Sequence, residues 1–148
     1  MTTGQRIILG VLAAILSVLI FHQGMLLLLR ETGMLPATVR VWNLRANPWG
    51  IPVIVNACLW GSLYGAAFGW LAPRFRVSMP TAGILTGIVA TLVGFFVVAT
   101  LKGTPIAGGW HAMAWIRSLL IHVSFGLGIG LIYPLLASKL FRPPLPRR

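Results

Sequence analysis

Four strongly polar side chains lie inside the apolar part of this 148-residue chain: His22, Gln23, Asn56 and His122, with Arg117 at its edge. Histidine donates, accepts and ligates through two distinct ring nitrogens, and an amide both donates and accepts. Two histidines on facing helices could hold haem or a metal. The same groups could bind a small quinone-like ligand, or simply hydrogen-bond between helices, each such bond contributing about 1 kcal/mol. The missing residue types narrow the choice. The chain has a single carboxylate side chain, Glu31, and a single cysteine, Cys58, so nothing completes a metal shell and no intrachain disulfide or paired-thiol relay exists. A serine–histidine–acid arrangement has no acid to use other than Glu31, which argues against hydrolase chemistry. The expectation is a non-enzyme with no catalytic residue, no metal and no resident cofactor, with haem or quinone binding through His22 and His122 as an alternative.

Positioning these groups falls to four long apolar stretches, Ile7–Leu29, Ile51–Ala72, Met79–Leu101 and Ser118–Ser138. Each exceeds the roughly 20 residues that carry a helix across a bilayer. Hydrophobic residues make up 57% of the chain and the mean hydropathy is +0.90, beyond the range of soluble domains. Lipid leaves backbone polar groups no partner but one another, so only helices or a closed barrel can span it. Barrel strands alternate apolar and polar over about 10 residues, whereas these runs are continuous and twice as long. The sequence therefore predicts an all-α integral membrane four-helix bundle, one domain over 1–148. Arg6 followed by an apolar run resembles the start of a signal peptide, but the run is too long and Arg30 closes it. It reads as an uncleaved first transmembrane helix.

Twelve Lys and Arg against one acidic residue give a formal charge of +11. In a soluble chain that excess would suggest nucleic acid. Here the cations sit at helix ends and in loops, which points to topology and to anionic lipid headgroups, with no nucleic acid as partner. With the N-terminus inside, seven of the cations face the cytoplasm (Arg6, Arg74, Arg76, Lys139, Arg142, Arg147 and Arg148) and five face out. That bias favours both termini inside. The first loop, Arg30–Gly50, carries Trp42, Trp49 and several arginines and is expected to lie along the outer surface with one short helix. The short Pro73–Ser78 loop predicts a tight hairpin. The Arg142-Pro-Pro-Leu-Pro-Arg-Arg tail suits an extended cytoplasmic end.

At 1.5 Å per residue His22 lies about 10 Å below the outer surface, Asn56 about 8 Å and His122 about 6 Å, so polar groups from three helices could meet at one level. His122 shares a face with Ser118, Gly126 and Gly130. By the 3.6-residue period His22 projects about 100° away from the Gly10, Ala14 and Ser17 face of its helix, and Asn56 points away from its helix's glycines. Association in lipid depends on small residues that let backbones approach. Gly61, Gly65 and Gly69 form one ridge, Gly83 and Gly87 a second, Gly126 and Gly130 a third; close packing of the second helix on the third is expected. Pro134 removes a donor from the fourth helix and predicts a kink.

Two glycine patterns carry no chemistry. Gly126-Leu-Gly-Ile-Gly130 lacks the strand and the later acid of a dinucleotide site, and Lys102-Gly-Thr lacks the preceding glycine-rich run of a phosphate loop. Small multidrug exporters have four helices and a similar length but depend on a carboxylate in their first helix, which is absent here. Phe21-His-Gln-Gly24, Leu59-Trp-Gly-Ser-Leu-Tyr-Gly65 and Phe96-Val-Val-Ala-Thr-Leu-Lys-Gly103 together resemble small four-helix inner-membrane proteins of proteobacteria to which no activity is assigned. The resemblance spans nearly the whole chain and implies a bacterial inner-membrane location, not an activity. The leading expectation is a structural or accessory protein that joins a homo-oligomer or larger membrane complex through its glycine faces. The alternatives are a small channel or carrier for an anionic or neutral solute, and the haem or quinone protein.

Overall fold

A computed structural model describes residues 1–141; the basic Pro-rich tail lies outside the described residues. Four helices organise the chain: α1 (Thr3–Glu31), α2 (Val53–Arg74), α3 (Met79–Leu101) and α4 (Ala112–Leu140). All four are long and apolar enough to cross a membrane. No strand forms among the described residues; the extended pairing is limited to an isolated Ala46–Pro52 bridge. Thr2 starts α1 with a reciprocal cap, accepting from the Gln5 N–H at 3.2 Å while Gln5 Oε1 accepts from the Thr2 N–H at 2.7 Å. Ser78 caps α3, with Pro80 in its first turn, where a missing N–H costs nothing. Helix α4 begins inside the His111–Trp115 run and continues unbroken through Pro134.

The helices pair differently from the sequence expectation. Helix α1 packs along α2, α3 packs along α4, and the two hairpins meet where α1 crosses α4. Beyond their tight turn α2 and α3 touch at few points, which corrects the expected α2–α3 packing. Small surfaces decide this. Gly65 lies against the Gly10 carbonyl and Ala14, and Gly69 against the Arg6 carbonyl. Gly83 and Gly126 face each other's carbonyls, Gly87 meets the His122 carbonyl, and Gly130 meets Met79 and Pro80. Gly61 takes the Val18 side chain and the Phe125 ring. A short loop joins two helix ends; it does not supply a matching groove along their length. The glycine faces expected to carry association with a partner are thus used inside the fold.

Two further corrections concern local structure. The 32–52 connection forms no short helix. It folds back on α1 and on the start of α2. Each of α1 and α3 also contains a π turn, at Val18–His22 and Val93–Val98. In α1 the Gln23 N–H bonds to the Val18 carbonyl, five residues back, as well as to that of Ile20.

Ser17, with 0% exposure, joins the hairpins by donating its hydroxyl to the Phe125 carbonyl, and the Ser124 hydroxyl donates to the Phe21 carbonyl at 3.3 Å. Ser17→Ala removes the first link. A loss of about 1 kcal/mol in a mixed-micelle unfolding titration is expected, the size of an interhelix hydrogen bond in lipid; an unchanged unfolding midpoint would show that the bond contributes nothing.

Candidate functional site

The π turn of α1 sets the site. An added residue rotates everything after it by about 100° relative to an ideal helix. His22 follows Ser17 by five residues and is brought onto the face that meets α4. Its ring lies 6.0 Å from that of His122, centroid to centroid, at 68°, and 6.4 Å from that of Phe125. An unbroken 3.6-residue period puts His22 off this face; the π turn at Val18–His22 breaks that period.

The hydrogen bonds around the rings define where each proton sits. Gln23, 5% exposed, accepts the Trp42 backbone N–H on Oε1 at 2.8 Å. That bond orients the amide, so Nε2 faces His22 Nδ1 at 3.3 Å as a donor. His22 Nδ1 therefore accepts, and the proton of the neutral ring sits on Nε2. His122 is the opposite case. Its Nδ1 lies 2.9 Å from the Ser118 carbonyl, a pure acceptor, with the Ser118 and Thr91 hydroxyls at 3.1 and 3.3 Å. The proton is on Nδ1 and Nε2 keeps a lone pair. The two imidazoles thus offer one donor and one acceptor, with no hydrogen bond between the rings.

Both rings line a cavity of about 110 Å³ to which every helix contributes: Val18 and His22 from α1, Trp60, Gly61 and Tyr64 from α2, Ala90 from α3, His122 and Phe125 from α4. The volume equals about three to four waters at ~30 Å³ each. Tyr64 also borders an apolar cleft of about 260 Å³ between α2 and α3, walled by Phe68, Leu71, Phe75, Leu85 and Val89. The cavity is far too small for a porphyrin, so the His22–His122 pair does not fit the haem alternative. No group of three or more His, Cys, Asp or Glu gathers as a metal shell among the described residues.

Of the five polar residues singled out in sequence, His22, Gln23 and His122 come together. Asn56 is half-buried but does not line the cavity, and its side chain makes no hydrogen bond among the described residues. Arg117 also stays out of the cavity, with its Nε buried and unpartnered. Trp42 and Thr91 were missed. No local signal marks either one: Trp42 reaches Gln23 from the far end of a loop, and Thr91 lies on the partner helix of His122. Trp42 sits at φ 45° and also donates its indole Nε1–H to the Leu19 carbonyl at 2.9 Å. The π turn had already diverted the Gln23 N–H from that carbonyl to those of Val18 and Ile20. No protein-family model matches the chain, and neither a curated protein nor a solved structure does.

Proposed function

We propose that this chain is a multi-pass protein of the bacterial inner membrane, with both termini in the cytoplasm. We infer that it binds, without transforming it, a neutral membrane-soluble molecule with a hydroxyl or carbonyl head, of which quinols are one class. Large apolar side chains point outward along all four helices, among them Ile8, Ile20, Leu63, Leu85, Val97 and Leu135, as a lipid-facing surface requires. The observation that carries the ligand reading is the cavity between His22 and His122 with its one donor and one acceptor. A hydroxyl satisfies both at once, accepting from His22 Nε2–H and donating to His122 Nε2. The α2–α3 cleft gives an apolar tail a path toward lipid. The inner half of the bundle is filled by Leu9, Ala13, Phe68, Ile129 and Tyr133, which speaks against a continuous polar conduit and hence against the channel alternative. The glycine faces pack against one another inside the fold, which favours the ligand reading over an accessory role through them.

The test is extraction of wild type and His122→Ala from native membranes into nanodiscs, followed by mass spectrometry of the released small molecules. A neutral amphiphile retained by wild type and depleted about tenfold in the variant is expected, the effect of losing one buried hydrogen bond of about 1.4 kcal/mol. Equal content in both proteins, or water as the only occupant, would reduce the pair to a structural contact.

A further inference from the structure

We propose that Arg30, Arg40 and Arg45 form a seat for the phosphate of an anionic phospholipid in the outer leaflet. The inference rests on the membrane reading above but not on the histidine cavity. The three guanidinium-bearing residues border one concavity of about 500 Å³, together with Val41, Trp42 and Leu44. Glu31 is the one acidic side chain of the protein, and it pairs with Arg30 at 2.7 Å. Three arginines less one glutamate leave a local charge of +2. The Arg40 and Arg45 side chains make no hydrogen bond to any described residue, so their donors are available. A planar guanidinium matches the geometry of a phosphate oxygen pair.

The seat is held in place from two sides. Trp42 is fixed to α1 by its N–H on Gln23 Oε1 and its indole N–H on the Leu19 carbonyl. The Asn43 and Arg45 carbonyls accept the Ile54 and Val53 N–H groups at the start of α2, both at 3.0 Å. The Asn43 side chain accepts the Arg45 N–H at 3.0 Å. A positive φ at Trp42 is unfavourable for a residue with a side chain, and these bonds offset it. The arginines therefore ride on a segment ordered before any ligand arrives, which lowers the entropy cost of binding.

The same segment indicates the source of the phosphate. Leu44, which borders the concavity, is 77% exposed, and Trp49, further along the same loop, is 85% exposed. Bare apolar side chains on the loop that carries a cationic concavity suit the headgroup boundary, where indole rings and aliphatic chains enter the lipid and arginines meet phosphates. A soluble phosphate would gain from the arginines but leave Leu44 and Trp49 in water.

The test uses the full chain in detergent micelles supplied with phosphatidylglycerol or phosphatidylcholine, read by native mass spectrometry of the lipid retained. Wild type is expected to keep phosphatidylglycerol over phosphatidylcholine. Arg40→Gln/Arg45→Gln is expected to lower that preference about 30-fold, the effect of two interfacial charges. Arg74→Gln/Arg76→Gln, at the opposite end of the bundle, should leave it unchanged. Equal retention of the two lipids by wild type, or an Arg40/Arg45 variant that behaves as wild type, would overturn the proposal. So would displacement of the lipid by an equal concentration of inorganic phosphate, which would identify a free-anion site. A failed histidine site shows in the small-molecule content of His122→Ala and leaves this readout untouched. A failed membrane location shows in fractionation of the untreated cells.

Discussion

Gly83→Ala and Gly65→Ala should each cost about 1–3 kcal/mol of stability, the usual range for forcing an atom into a filled interface. An added Cβ at Gly83 would overlap the Gly126 carbonyl, and one at Gly65 would overlap the Gly10 carbonyl and the Ala14 methyl group. A flexible side-chain tip could move aside at low cost; a helix backbone cannot, so the two helices must separate along their contact. That separation removes dispersion contacts over a whole turn or more, and lipid offers no hydrophobic drive to restore them. The two substitutions disturb different helix pairs, α3–α4 and α1–α2, and their effects should add. Gly24→Ala is the internal control. Nothing lies within 4 Å of its Cβ position, and alanine favours helix by up to about 1 kcal/mol. Unfolding titrations in mixed micelles give all three values. If Gly83→Ala and Gly65→Ala unfold with Gly24→Ala, the backbone-to-backbone contacts described here are not what hold the hairpins together.

The second large effect is expected at Gln23. Its amide connects the outer loop to the histidine site, accepting the Trp42 N–H and donating to His22 Nδ1. Gln23→Leu leaves a part-buried N–H without a partner, a cost of about 1–3 kcal/mol, and releases His22 to exchange its proton between ring nitrogens. Gln23→Glu separates the two roles. An ionised carboxylate still accepts from Trp42 but cannot donate to His22, so the loop should stay seated while the His22 proton moves to Nδ1. Ring nitrogen shifts of isotopically labelled histidine distinguish the tautomers directly. The wild type should show His22 protonated at Nε2 and His122 at Nδ1, and Gln23→Glu should move only His22. Identical tautomers in wild type and both variants would remove Gln23 from the site. Ligand content should follow the His22 proton: depleted in both variants if the Nε2–H donates to the bound head.

Much of the architecture could be read along the chain, because it depends on length and composition. An apolar run of more than 20 residues has few alternatives to a spanning helix, and Ser78 with Pro80 marks a helix start through local backbone chemistry alone. That His22 and His122 could share a level was legible for the same reason, since rise per residue hardly varies. Direction was not. The helical wheel turned His22 away from its partner helix because the π turn at Val18–His22 leaves no clear mark in a run of aliphatic residues. The wheel turned Asn56 away from the glycines of its helix, and it does not line the cavity, but the wheel by itself could not say which neighbour its face would meet.

The sequence alone determined that four helices are long and apolar enough to cross a membrane, which small residues line their faces, and that a single carboxylate side chain and a single thiol accompany them. Those are consequences of local composition and fixed helix geometry. Only the tertiary structure decided that α1 takes α2 and α3 takes α4, because a glycine ridge fits any sufficiently flat surface and the choice is made by matching whole helix faces. It also decided the proton positions of the two histidines. Those depend on Trp42 reaching Gln23 across a loop and on the Ser118 carbonyl lying beside His122, contacts between groups that spacing in the sequence does not relate.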